Sequence, residues 1–167
     1  LSVVFLSIFN LYTLMTKPRD FIDKLNTAQT LSGLDFGDKT IGIAISDKTH
    51  TIATPIETLK RKGIKKDIAA LKKLFEEYNV GGVVLGLPLS LNGEENERTK
   101  KVRSFAEEIK ANTDLKITFY DERYSSDVIY KLLRKSSLSS TKIKKKINHF
   151  AASYILQGFL DAAKMSG

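Results

Sequence analysis

A chain of 167 residues with 42% hydrophobic and 28% charged content can build one well-packed core, and it is too short for two domains to be the expectation. Lys and Arg number 27 against 19 Asp and Glu, a formal charge of +8 that biases the chain toward an anionic partner such as nucleic acid. With no cysteine, disulfides, thiolate nucleophiles and Cys-ligated zinc are excluded, and the only two histidines, His50 and His149, read as surface or boundary residues rather than a metal cluster.

Residues Leu1 to Leu14 form an apolar run, followed after Met15 by the polar stretch Thr16 to Thr30. The run is shorter than the roughly 20 residues of a membrane-spanning helix. It has neither the basic start nor the small-residue cleavage site of a secretory signal, so neither a membrane role nor export is expected. The expectation is an extension over residues 1–30, disordered or lying upstream of a true start at Met15, with an amphipathic membrane-touching segment as the rival. Residues 31–167 are the expected folded domain.

From Leu31 the pattern turns to short β-rich runs: Leu31 to Phe36, Ile41 to Ser46, and a weaker one around Thr51 to Thr54. Gly37, Asp38, Lys39 and Thr40 read as a hairpin turn, giving a three-stranded antiparallel start. Ile64, Ile68, Leu71, Phe75 and Tyr78 then recur at steps of three and four, one face of an amphipathic helix that Gly81 and Gly82 are expected to end. Val83 to Leu85 is a short buried strand, broken into a loop at Gly86, Leu87 and Pro88. A helix carrying Val102, Phe105, Ala106 and Ile109 inward follows, and then a strand over Lys116 to Tyr120. Ser125 or Ser126 caps a third helix, with Asp127 in its first turn and Ile129, Leu132 and Leu133 as its buried face. After the Ser-rich stretch 136–141, a last helix over about 142–164 packs through Ile143, Ile147, Phe150, Ala151, Tyr154, Ile155 and Phe159. The order predicts an α/β fold: a mixed five-stranded sheet, three antiparallel strands and then α-β-α-β-α, with helices on both faces.

Three polar residues stand where packing alone would prefer hydrocarbon. Asp35 interrupts the first strand, where a carboxylate is costly unless paired, hydrogen-bonded or bound to a cation. Asp121 and Glu122 end the strand 116–120 and alternate to opposite faces, so one of the two can join a site; with Arg123 they could equally be a solvated salt-bridge cluster. Asn148 borders the buried stripe of the last helix, and its amide needs partners there, structural or functional. Gly86, Pro88 and the Asn92–Gly93 turn precede a helix whose first amides could receive an anion. Lys142, Lys144, Lys145 and Lys146 crowd the start of the last helix, where positive charge opposes the helix dipole. That placement suggests a phosphate-facing patch, with a solvated face as the alternative.

Together these stretches resemble the YqgF-type family of pre-16S rRNA nucleases, relatives of Holliday-junction resolvases. The matching residues are Leu34–Asp35–Phe36–Gly37 with Lys39, Ile41 to Asp47, Ala53–Thr54–Pro55, Val84 to Pro88 with Gly93, Asp121–Glu122–Arg123 with Ser125–Ser126, and Ala151–Ala152 through Gln157. They run in order from residue 31 to about 161.

The resemblance implies a ribonuclease H-like fold, a cytoplasmic role in maturing the 5′ end of 16S rRNA, and phosphodiester hydrolysis with Mg²⁺ or Mn²⁺. It places Asp35 and Glu122 at the catalytic, metal-binding acidic positions and Asn148 at the third, where the family usually carries aspartate. Metal affinity and activity are expected to be weakened by that departure. Lys39, Gly86, Pro88, Arg123 and the four lysines are the expected nucleic-acid contacts. The implied partners are pre-16S rRNA and ribosomal assembly intermediates, and the implied state is a monomer or weak homodimer. The alternatives are a junction-resolving DNA endonuclease and a non-catalytic RNA-binding assembly factor, the latter favoured by Asn148. A sugar-kinase-like ATP-binding domain would need a second lobe for which the chain is too short.

Overall fold

A computed structural model describes residues 16–122 and 131–166. The run Leu1 to Met15 and the positions Arg123, Ser125, Ser126, Asp127 and Ile129 lie outside them. In chain order the elements are α1 (Pro18–Ile22), β1 (Thr30–Phe36), β2 (Thr40–Ser46), β3 (Ala53–Lys60), α2 (Ile64–Glu77), β4 (Val80–Leu87), α3 (Glu97–Asn112), β5 (Lys116–Asp121) and α4 (Ser140–Met165). The sheet order is β3-β2-β1-β4-β5. β1–β2 and β2–β3 pair antiparallel, and β1–β4 and β4–β5 pair parallel, the mixed sheet that the element order predicts. The hairpin turn is in place, with Gly37 N donating to Thr40 O at 2.9 Å.

Strand alternation divides the hydrophobic residues between two layers. Leu34, Ile41, Ile43, Ile45, Val83, Leu85 and Leu87 face one side and pack with Ile68, Leu71 and Phe75 of α2 and Val102, Phe105 and Ile109 of α3. The other side carries small residues in β1, β2 and β4, among them Gly33, Gly42, Ala44 and Gly86. α4 lies there on Ala152, Ile155, Leu156 and Phe159. Small side chains let a helix backbone approach the sheet. α1 closes the same layer: Phe21 is buried and meets Phe159 edge to face at 5.8 Å, so the folded unit includes this turn as well as the residues from Leu31 onward.

Several expectations are corrected. Gly81 and Gly82 do not end a helix; they lie inside β4, because Gln29 fills the space over Gly81 and Phe21 the space over Gly82. Gly86 and Leu87 also belong to β4 rather than to a loop, and the chain leaves the strand at Pro88. The third strand is longer than expected, Ala53–Lys60, and accommodates Pro55 because it is the sheet edge, where a missing N–H faces no partner strand. Leu132 is exposed, not buried, and Phe150 and Tyr154 of α4 are 37% and 39% exposed rather than packed inward.

The closest approach of α4 to the sheet supplies a test. A Cβ at Gly33 would stand 2.6 Å from Leu156 Cβ and 2.9 Å from Ala152 O, atoms that cannot swing aside because they belong to, or adjoin, the helix backbone. Gly33→Ala should therefore cost about 2 kcal/mol or more and lower the melting temperature by roughly 5 °C or more. Calorimetry showing an unchanged melting point would mean that α4 is free to slide over β1.

Candidate active site at the open end of the sheet

Asp35 is the next-to-last residue of β1 and pairs with Gly42 of β2. On its other side the parallel register runs Gly33–Val84 and Leu34–Leu85, so the next rung brings Gly86 beside Asp35. Two glycines therefore flank the aspartate, about 4.8 Å away on each side, and leave bare the α4 face of three adjacent strands. Glu122 fills the space over Gly86. A Cβ added to Gly86 would fall 2.8 Å from Glu122 Cδ and 2.9 Å from its Oε2. Glu122 follows β5 directly, and its N–H donates to Leu87 O at 3.2 Å. Alternation thus brings the Glu122 carboxylate to within one strand spacing of Asp35, while Asp121 pairs with Leu87, whose side chain faces the α2–α3 layer.

Asn148 reaches the same place from α4. Its backbone oxygen would lie 3.0 Å from a Cβ on Gly42, and that Cβ would lie 3.5 Å from both Asp35 Cβ and Ala152 Cβ. The three positions singled out in the sequence are therefore neighbours on one face and at one end of the sheet. Asn148 is half-buried, and among the described residues no hydrogen bond is formed by its amide. Among the described residues no group of three or more His, Cys, Asp or Glu is clustered as a metal cage.

The electrostatics of Asp35 are unusual for a strand residue. Burial pushes its pKa above the ordinary 3.8, and the positive charge of Arg98 in the first turn of α3 opposes that shift. No hydrogen-bond donor among the described residues reaches its carboxylate. Arg98 was not anticipated from the sequence, and neither was Thr58. Thr58 pairs with Gly42 on the same rung and holds a buried hydroxyl with no hydrogen-bond partner among the described residues. The available signal was the alternation Ile41-Gly42-Ile43-Ala44-Ile45, in which small residues mark one face for close approach.

The loops around this rung are tied down. Asn96 caps α3 in a reciprocal box with Thr99, and its Nδ2 donates to Pro88 O (2.9 Å) and Ser90 Oγ (3.1 Å), which fixes the β4–α3 connection. Gly93, at φ +83°, takes the left-handed conformation that the Asn92–Gly93 turn requires. On the opposite side Arg61 holds the β1–β2 turn. It donates from Nη1 to Gly37 O (3.2 Å) and from Nε to Asp67 (3.3 Å), with its guanidinium 4.4 Å above the Phe36 ring. Asp67 is buried, so Arg61→Ala should cost about 2–3 kcal/mol through a buried carboxylate left with fewer partners. It should also loosen the turn after Asp35. Urea unfolding checks the first, and a midpoint equal to the native one would remove Arg61 from the framework.

α4 runs antiparallel to β1: Asn148 lies over the rung of Asp35, while Leu156 lies over Gly33. Its first turns, with exposed Lys142, Lys144, Lys145 and Lys146, thus project past the end of the sheet where Asp35 and Glu122 sit. Exposed Lys39 lies in the hairpin turn at this same end. Gly86 is buried beneath Glu122 and Ile155. His50 bonds Gln29 O through Nε2 at 2.8 Å, and His149 stacks edge-on to Phe150 at 5.1 Å, each in a local role.

A mixed sheet in this strand order, helices on both faces and acidic residues at the ends of β1 and β5 define a ribonuclease H-like domain. The fold is shared with T. thermophilus RuvC in complex with Holliday junction substrate, at a TM-score of 0.50, 12% identity, and coverage of 82% of this chain and 96% of that one. The chain belongs to the RuvX Holliday junction resolvase family, whose pattern it matches over residues 29–162. Among its relatives is a protein of Ruegeria pomeroyi, 42% identical over 142 residues, covering 85% of this chain and 92% of that protein. Another, from Paramagnetospirillum magneticum, is 40% identical over 144 residues (86% and 93%). A third, from Clostridium novyi, is 42% identical over 130 residues (78% and 96%). All three carry the name "Putative pre-16S rRNA nuclease". The chain is thus a member of a family of phosphodiester hydrolases.

Proposed function

We propose that this protein is a divalent-metal-dependent nuclease that trims the 5′ end of pre-16S rRNA in the cytoplasm, acting on the RNA or on ribosomal assembly intermediates as a monomer or weak homodimer. The observation that carries the reading is the half-buried Asp35 carboxylate, with no hydrogen-bond donor among the described residues and within one strand spacing of the Glu122 carboxylate. Two acidic groups so placed repel one another, an arrangement suited to a hard cation with oxygen ligands. Asp35 and Glu122 would hold Mg²⁺ or Mn²⁺, with Asn148 offering an amide oxygen in place of a third carboxylate. When bound, the cation supplies Lewis-acid polarisation of the phosphate and a more acidic water. The chain's own residues do the rest. Gly42 and Gly86 let Asn148 and Glu122 close in beside Asp35, Arg98 and Lys39 contribute positive charge at the rim, and the lysines of α4 neutralise flanking phosphates. Arg123, outside the described residues, is proposed as a further contact by its place in the Asp121–Glu122–Arg123 motif.

The test is cleavage of a pre-16S 5′-leader RNA with Mg²⁺ or Mn²⁺, set against a four-way DNA junction of equal length. Metal-dependent cutting of the RNA, with little cutting of the junction, is the expected result. Preferential symmetric cutting of the junction would instead make the chain a resolvase. Salt-dependent RNA binding with no cleavage at any metal concentration would make it a non-catalytic assembly factor, the reading that Asn148 favours.

A further inference from the structure

The outward face of α4 is built differently from that of the other helices. Lys142, Lys146, Phe150 and Tyr154 follow one another at steps of four, which places them along a single ridge of the helix. All four are exposed, the two aromatic residues by 37% and 39%. Beside Phe150 and Tyr154 runs a groove of about 330 Å³ whose far wall is Leu132 and Leu133. Lys131, Arg134 and Lys135 flank that wall and are exposed. No Asp or Glu occurs from residue 128 to residue 160, and among the described residues none of these cations has an acidic partner. By contrast, Lys100, Lys101 and Lys110 of α3 are each paired with a carboxylate. The α4 ridge therefore combines unneutralised positive charge with two half-open rings, at a cost to helix stability near its N-terminus.

We infer that this ridge is a binding track for unpaired nucleic acid, with phosphates at Lys142 and Lys146 and nucleobases stacked on Phe150 and Tyr154. Aromatic faces bind bases without regard to sequence, whereas paired bases hide their faces in the helix stack. The track thus selects single-stranded substrate over duplex. Its length fits: 12 residues from Lys142 to Tyr154 at 1.5 Å per residue span roughly 18 Å, about five stacked nucleotides at 3.4 Å each. The track begins where α4 overhangs Asp35 and Glu122, so a strand lying on it would leave the cleavage rung along the helix. This deepens the nuclease reading and rests on it, since it names the form of substrate that the site receives.

The test is made in chelator, where binding is read without cleavage. The probe is a 12-nucleotide single-stranded RNA carrying a 2-aminopurine, compared with the same sequence as a duplex. The native chain should bind the single strand more tightly and quench its fluorescence. Phe150→Leu/Tyr154→Leu, which keeps apolar volume and removes the rings, should weaken single-strand binding about tenfold and abolish quenching, with duplex binding and the slope of affinity against salt unchanged. Phe150→Tyr/Tyr154→Phe, which keeps both rings, should bind as the native chain does. Unchanged single-strand binding by the Leu variant would overturn the inference, and so would equal loss on duplex. A native homodimer converted to monomer by the Leu variant would also overturn it, by showing that the rings meet a second copy of the chain. Asp35→Asn separates the two readings, because it removes cleavage under the nuclease reading yet should bind the probe normally here.

Discussion

Asp35→Asn should reduce metal-dependent cleavage by at least about 100-fold and leave the fold intact. The substitution is nearly isosteric, so Gly42, Gly86 and Asn148 keep their places around it. It removes the charge that would hold the cation and the half-buried carboxylate whose desolvation weighs on the metal-free protein. The folded-state pKa of Asp35 lies above its ordinary value because burial outweighs the field of Arg98. Ionisation therefore costs the folded protein stability at every pH above that raised value. The cost is relieved as pH falls through it and is gone below the unfolded value of 3.8. In chelator the native chain should lose stability relative to Asp35→Asn as pH rises from 4 toward neutrality. Mg²⁺ should then raise the melting temperature of the native chain and not that of the variant. Parallel melts of the two proteins over pH 4–7, with and without Mg²⁺, read both effects. If the variant cleaves as fast as the native chain, or if Mg²⁺ stabilises both equally, Asp35 is no metal ligand.

The first two strands were legible because alternation is a local signal. Ile41, Ile43 and Ile45 point one way and the small residues Gly42 and Ala44 the other, and no tertiary knowledge is needed to see it. The glycines were harder. A glycine in sequence suggests a turn, but Gly82 and Gly86 sit mid-strand because Phe21, Ile155 and Glu122 occupy the volume a side chain would need. Those neighbours are distant in the chain. The helix face failed for another reason. Ala151 and Ile155 are buried, and Phe150 and Tyr154 stand one position round the same helix, a rotation of about 100° that hydrophobicity cannot resolve when both stripes are apolar. At the site, alternation showed that Asp121 and Glu122 diverge, but which of them faces α4 depends on the register of β5 against β4. Arg98 was invisible, since its bearing on Asp35 comes from the fold of the β4–α3 connection and from no pattern in the sequence.

Asn148→Asp should tighten the site for metal and loosen the protein without it. A third carboxylate adds one negative charge to a pocket that already holds Asp35 and Glu122, and the attraction for a divalent cation rises accordingly. About a tenfold lower metal midpoint is expected, roughly 1.4 kcal/mol. Cleavage at limiting Mg²⁺ should rise by a similar factor, and the gain should shrink at saturating metal, where the native chain is already loaded. In chelator the sign reverses. Three neighbouring carboxylates repel, with no donor among the described residues at Asp35 to absorb the charge, so the metal-free variant should melt below the native protein. Crossing of the two melting curves as Mg²⁺ is titrated is the signature of a residue inside the cage. A surface substitution would give parallel curves, because charge away from the cation changes neither its affinity nor the repulsion it relieves. Parallel curves with an unchanged metal midpoint would therefore put Asn148 outside the site and leave Asp35 and Glu122 to hold the cation as a pair.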